Sequence, residues 1–288
     1  MDSLLQNMAA VRDHSRHYRD FVFVYPVISR RSGGLSLGVN LNPDKICNFD
    51  CIYCEVDRRR PGRAQRVDVP QMSAELRALI QWVRDGRLAL DPRFRDTGDL
   101  TSTIKDIAFS GDGEPTMAPN FAACVEAVAE VKKAENLTET KIVLITDAAG
   151  LDKADVRAGL AIMDANQGEI WGKLDAGTEA YYRLVNRSHI RFERLLANLL
   201  ATAQARPIVI QTLFLKVHGQ RMSPAELDAY CERLKVLLQG GGKLKEVHAY
   251  TVARPTPEAY ATRLEPLELE QFAATIRART GLVVRTFA

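Results

Sequence analysis

Cys47, Cys51 and Cys54 stand in the run ICNFDCIYCE, and their C-x3-C-x2-C spacing lets one short loop bring three thiolates to a single iron–sulfur cluster. A four-iron cluster normally takes four cysteines, so a triad with no fourth partner nearby leaves one iron with a position open to a substrate or cofactor. The competing readings are a zinc knuckle and a set of buried thiols. Structural zinc wants four tetrahedral ligands, and the nearest histidine in sequence, His17, precedes the loop on a charged segment. The chain has five cysteines, and the other two, Cys124 and Cys231, fall in helical patterns and read as small core residues. An odd count with three clustered does not resemble a secreted disulfide framework.

Other residues could serve chemistry near such a loop. In SGDGEPT the glycines permit close backbone approach, and Glu114 can accept hydrogen bonds from an ammonium group. Thr146 and Asp147 end a strand-like run, with Asp147 either functional or a polar cap to the turn. Lys173 and Asp175, two apart on a strand, point to one side, either into a site or as a mutually satisfied buried pair. In a site, Lys173 could hold a carboxylate, act as an acid, or form an imine. His248, Tyr250 and Val252 share one face of the last strand, with Val247, Ala249 and Thr251 on the other. His248 is a candidate catalyst or a core histidine. Gln211, Asn186 and Arg187 are candidate ribose, carboxylate or substrate contacts. Arg58, Arg59, Arg60, Arg63 and Arg66 crowd a Pro/Gly-containing loop, which is either a phosphate-binding border or a solvated surface.

The elements that must position these groups alternate along the chain. Strand-like runs cover Leu35 to Leu41, Asp106 to Ser110, Lys141 to Thr146, Glu169 to Asp175, Ile208 to Leu215 and Glu246 to Val252. Helical patterns fall at Ala74 to Val83, Phe121 to Lys133, Ala154 to Met163, Phe192 to Ala203, Ala225 to Leu237 and Leu269 to Arg279. Ser73 and Ser223 are N-cap candidates, Ser223 forming a capping box with Glu226. Such alternation implies parallel strands with right-handed crossover helices, an α/β fold curling into a partial (β/α)6 TIM-type barrel. Barrel sites gather where βα loops leave the strands, which is where the cysteine loop and SGDGEPT stand.

At 288 residues the chain can be one domain, read as an extension over 1–33, a barrel core over 34–252 and a C-terminal helix and tail over 253–288. A net charge of +3 is too weak to argue by itself for nucleic acid. No run reaches membrane-spanning length and the N-terminus lacks the apolar stretch of a secretory signal, so a cytoplasmic protein with no membrane partner is expected.

The cysteine spacing, with Tyr53 before the third cysteine and G-E-P one βα unit later, resembles the radical S-adenosylmethionine (SAM) superfamily. The stretch from Val24 to Pro255, through VYPVISRRSGG, SGDGEPT, WGKLDAGTEAYYRLVNR and VHAYTVARP, looks like its wyosine-synthetase-like group of single-cluster proteins. This resemblance implies a [4Fe-4S] cluster on Cys47, Cys51 and Cys54. It further implies SAM held by Glu114 with the backbone of Gly113 and Pro115, with Thr146, Lys173, Asn186 and Gln211 as further contacts, and adenosine against Tyr53 and the last strand at Tyr250. Lys173, Asp175 and His248 are then candidates for catalysis. An electron from flavodoxin or ferredoxin would cleave SAM to a 5′-deoxyadenosyl radical that takes hydrogen from a substrate, in tRNA or nucleoside modification or on another phosphate-bearing molecule. In the tRNA-wyosine-forming enzymes a second cluster uses cysteines ahead of the first motif, and here no cysteine precedes Cys47. Related proteins often carry T-N-G where this chain has Thr146, Asp147 and Ala148. The alternatives are a glycyl-radical-type protein-activating enzyme, whose members share the small size but not the V-Y-P-V and K-L-D-A-G blocks, and a non-catalytic iron–sulfur or zinc binding module.

Overall fold

The computed structural model describes residues 16, 18–58, 62, 66–254 and 256–288. Strands paired mostly in parallel, with helices between them, make this an α/β structure. The chain divides into two compact units, one of Met1–Ile46, Pro61–Ile145 and Lys153–Glu169, the other of Cys47–Arg60, Thr146–Asp152 and Ile170–Ala288.

In the first unit, β1 (Val24–Ser29) runs antiparallel to β2 (Gly34–Val39), which continues in parallel to β3 (Ile104–Phe109) and β4 (Lys141–Thr146). β1 was not expected from the sequence, because Pro26 interrupts its ladder. Proline is tolerated on an edge strand, which is where β1 lies. Tyr25 packs so closely on Gly38 that a Cβ there would stand 2.2 Å from the ring. Helix α1 (Val69–Arg84) fixes the approach to β1 through buried Glu75, whose carboxylate accepts from the backbone N–H of Val22 (3.0 Å), Phe23 (2.8 Å) and Val24 (3.2 Å). The α1 N-cap is Asp68, accepting from Gln71 N; Ser73 lies within the helix, so the expected cap there is corrected. Asp68 is followed at the second helical position by Pro70, which starts the helix a turn earlier than its apolar pattern suggests. Helices α2 (Phe121–Ala134) and α3 (Ala154–Asp164) complete this unit.

In the second unit, β5 (Gly168–Lys173), β6 (Ile208–Leu213), β9 (Leu244–Tyr250) and β11 (Val284–Phe287) are parallel. The segment read as a tail is therefore strand β11, paired with β9. A small antiparallel sheet comprises β7 (Lys216–Val217), β8 (Gln220–Arg221) and β10 (Ala261–Thr262). The helices are α4 (Glu179–Asn186), α5 (Phe192–Ala205), α6 (Pro224–Gln239) and α7 (Pro266–Thr280). α6 is capped by Ser223, which accepts from Glu226 N, but Glu226 does not close a capping box. Its carboxylate instead accepts from Gly177 N (2.6 Å), Thr178 N (3.0 Å) and Thr178 Oγ1 (2.6 Å), fastening the start of α4.

Strand register sets a row of side chains. Lys173, Gln211 and His248 are partners across β5, β6 and β9, so they share a face of the sheet. On the opposite face, Gly172 leaves room for Leu199 of α5 and Thr212 reaches Tyr230 of α6 at 2.6 Å. Cys124 and Cys231 are fully buried in helices, as expected of core residues.

Candidate active site

The cysteine loop belongs to the second unit and is clamped by the end of helix α4. The last carbonyls of a helix lack intrahelical donors. Here the loop supplies them: Ile52 N donates to Val185 O at 3.0 Å and Asp50 N donates to Asn186 O at 3.0 Å. Beyond the helix, Arg187 turns the chain in the left-handed region at φ 46°, and its guanidinium reaches Asp50 at 3.4 Å. Ser188 Oγ donates to Asn48 O at 3.2 Å, and Phe49 lies edge-on to Tyr182 of α4. Ile52 and Tyr53 pack with Val185, Leu213, Leu215, Val217 and Val252 in one apolar cluster. A loop of polar and cysteine residues is thereby held by hydrogen bonds on one side and by burial on the other.

Behind Cys51 lies a buried polar network. Asp175 is its hub: Oδ1 accepts from Leu213 N at 2.8 Å and pairs with Lys173 Nζ at 3.3 Å, while Oδ2 accepts from Asn186 Nδ2 at 2.8 Å and from the Tyr53 hydroxyl. Asn186 Nδ2 also stands 3.0 Å from Tyr53 Oη and 3.4 Å from Cys51 Sγ. Lys173 Nζ donates to Tyr250 Oη at 2.7 Å and sits 5.0 Å and 5.1 Å from the ring centres of Tyr53 and Tyr250. Burial is the strongest single influence and works against the Lys173 charge, but Asp175, Tyr250 and Cys51 together outweigh it and raise the pKa, so the amine stays an ammonium. Burial likewise pushes the Cys51 thiol up to about 12, against the pull of Lys173. Gln211, beside Lys173 in the strand register, is wholly buried, and its side-chain amide has no hydrogen-bond partner among the described residues.

A cation stands beside the third thiol. Arg58 Nη2 lies 3.5 Å from Cys54 Sγ. Burial opposes the guanidinium charge, yet Cys54, Cys47 and Cys51 together raise its pKa. Among the described residues no three His, Cys, Asp or Glu side chains converge at the spacing of a single metal ion. A four-iron cluster is wider than one ion and spreads its ligands correspondingly. The donor set, three thiols on one loop with a guanidinium beside the third, fits such a cluster. Of the other arginines, Arg66 is exposed, while Arg59, Arg60 and Arg63 lie outside the described residues.

The remaining candidates make other contacts. His248 Nε2 pairs with Glu246 at 2.8 Å and its ring lies edge-on to Trp171 and Phe287, the surroundings of a core histidine. Thr146 Oγ1 accepts from Ala148 N at 3.0 Å and Asp147 Oδ1 from Ala149 N at 2.8 Å, so both side chains brace a turn in which Ala148 has φ 67°. In the first unit, Glu114 is buried and its Oε1 accepts from Thr116 N (3.1 Å) and Thr116 Oγ1 (2.6 Å), capping a short 3-10 turn, Pro115–Met117. Gly113 is pressed against the chain ahead of the cysteines: a Cβ there would meet Ile46 O at 1.9 Å, and Glu114 N donates to that same carbonyl. Sequence reasoning missed Asn40. Its amide donates to Asp112 at 2.8 Å and its oxygen accepts from Asp112 N at 3.1 Å, pinning the GDGEP loop. Nothing in the local sequence signals that partnership, 72 residues apart.

Parallel strands followed by loops and helices define an α/β class of partial-barrel type. A solved TYW1 structure, described as holding a lysine-pyruvate adduct, shares this fold with a TM-score of 0.52 and 16% identity, over 84% of this chain and 73% of that one. By sequence, the chain is 25% identical to the UPF0026 protein slr1464 of Synechocystis over 82% of its own length and 78% of the relative's. It is also 26% identical to a protein named GTPase Obg of Brachyspira hyodysenteriae, over 85% of this chain and 32% of that one. No G-x4-G-K-[ST] phosphate loop occurs in the present sequence. The chain spans between 29% and 48% of the length of the first four curated relatives it matches. No family profile matches it. The TYW1 structure bears out the α/β partial-barrel fold expected from the sequence.

Proposed function

We propose that this protein is a radical SAM enzyme acting on a nucleoside or another phosphate-bearing substrate, with Cys47, Cys51 and Cys54 as ligands of a [4Fe-4S] cluster. The observation that carries the reading is the loop of three cysteines clamped by the end of α4, with Arg58 Nη2 3.5 Å from Cys54 Sγ. When bound and reduced by flavodoxin or ferredoxin, such a cluster supplies the electron that breaks a sulfonium carbon–sulfur bond of SAM. The chain's own residues do the positioning. Gly113, Glu114 and Pro115 form the element that holds the methionine amine in related proteins, and burial of the Glu114 carboxylate supports that role here. The unpartnered Gln211 amide beside Lys173 supports a bound ligand over this face of the sheet, since a buried amide without a partner is costly.

The lysine-pyruvate adduct described for the TYW1 structure raises the question of whether Lys173 forms an imine. Imine formation needs the neutral amine. Lys173 is paired with Asp175 and hydrogen-bonded to Tyr250, and its pKa is raised, which favours holding an anion as an ammonium. Among the described residues no helix is long and apolar enough to cross a membrane, and action in the cytoplasm accords with the thiol chemistry. The test is anaerobic reconstitution with iron and sulfide, then incubation with SAM and a strong reductant. Formation of 5′-deoxyadenosine by the wild type and its loss in Cys51→Ala is expected. A reconstituted four-iron protein that makes none is a binding module instead.

A further inference from the structure

Asn186, a ribose or substrate candidate from the sequence, has its side-chain amide directed at the cysteine loop and its neighbours. Its Nδ2 is surrounded by three acceptors: Asp175 Oδ2 at 2.8 Å, Tyr53 Oη at 3.0 Å and Cys51 Sγ at 3.4 Å. A carboxylate only accepts, so the nitrogen and not the oxygen of the amide must face it. Two N–H groups then serve three acceptors, with the sulfur among them. The backbone of the same residue accepts from Asp50 N at 3.0 Å, so the residue before Cys51 and the sulfur of Cys51 are both gripped by one residue at the end of α4. Asn186 is itself 1% exposed, and Asp175 fixes its rotamer from behind. A donor this rigidly aimed cannot turn away when the charge on the sulfur changes.

Resting on the proposed function, we infer that Asn186 is a positioning residue whose N–H···S hydrogen bond to Cys51 sets the reduction potential of the cluster, with Asp175 and Tyr53 holding that amide in place. A hydrogen bond to a ligand sulfur is worth more in the reduced state, where the sulfur carries more negative charge, so it makes reduction easier. Charge-assisted hydrogen bonds are about twice as strong as neutral ones. Removing this one is expected to lower the equilibrium constant for reduction about tenfold, which for a one-electron couple is about 59 mV toward more negative potential.

The experiment is a redox titration of the reconstituted protein followed by electron paramagnetic resonance, on wild type, Asn186→Ala and Asn186→Leu. Leucine is close to asparagine in shape and cannot donate, so it serves where the alanine cavity prevents folding. Iron content and circular dichroism are measured alongside. A negative shift of the couple in a folded, fully loaded variant is the expected result. A loaded variant with the wild-type potential overturns the inference and leaves Asn186 a structural clamp. Folded variants that take up no cluster also overturn it, making Asn186 a determinant of loading. If the wild type itself takes up no four-iron cluster, the functional reading fails first and the inference falls with it. Those failures are distinguished by the wild-type iron content.

Discussion

Single atoms decide most of what the site can do. Asp175 accepts from Lys173, Asn186, Tyr53 and the backbone of Leu213, so removing it strands a buried ammonium and three other donors. Breaking a buried ion pair from one side costs about 3–5 kcal/mol. Asp175→Ala is therefore expected to lower unfolding stability by about 3–5 kcal/mol in urea denaturation; a loss below about 1 kcal/mol would mean that the network is wet and weak. The two helical cysteines behave differently from the triad. Cys124→Ala and Cys231→Ala should keep the iron content of reconstituted protein, whereas alanine at Cys47, Cys51 or Cys54 should abolish the four-iron spectrum. At Gly113, an added methyl would overlap a backbone oxygen at 1.9 Å, which no side-chain motion relieves. Gly113→Ala should weaken SAM binding at least about tenfold by isothermal titration, the consequence of displacing the loop by an ångström. Unchanged affinity would remove GDGEP from the SAM site.

Helix α4 is the element on which the cysteine loop depends, and it was the helix that sequence periodicity did not reveal. Its eight residues span about two turns, too short for an amphipathic pattern to emerge, and the helices seen in advance all exceed ten residues. Those longer helices and the six barrel strands were legible because burial imposes a period on them. β1 and β11 were not, one holding Pro26 and the other only four residues long. The grouping of the three cysteines was legible for the opposite reason: residues carried by one loop are close in sequence. Asn186 reaches Cys51 across 135 residues, and no local rule encodes that. Glu226 holds the start of α4 by three hydrogen bonds, so its loss should be felt at the loop. Glu226→Ala is expected to cost about 1–3 kcal/mol by leaving buried donors unsatisfied, and to reduce iron loading. Full loading with undiminished stability would separate α4 from the site.

At the scale of the whole molecule, each of the two compact units carries candidate residues. The thiols, Asn186, Asp175, Lys173 and Gln211 lie in one, and Glu114, Gly113 and Asn40 in the other. Each unit pairs strands in parallel and places its functional loops after them, as barrel proteins do. Charge is nearly balanced, so recognition of a phosphate-bearing substrate would rest on local clusters and not on the field of the whole protein. The central claim is that the chain supplies three ligands to a four-iron cluster and leaves one iron for SAM. The most direct measurement is the electron paramagnetic resonance spectrum of the anaerobically reconstituted, reduced protein, recorded before and after adding SAM, with iron and sulfide counted on the same sample. The account predicts about four irons per chain and a spectrum that changes on SAM addition. Tetrahedral zinc, or a four-iron spectrum indifferent to SAM, would contradict it.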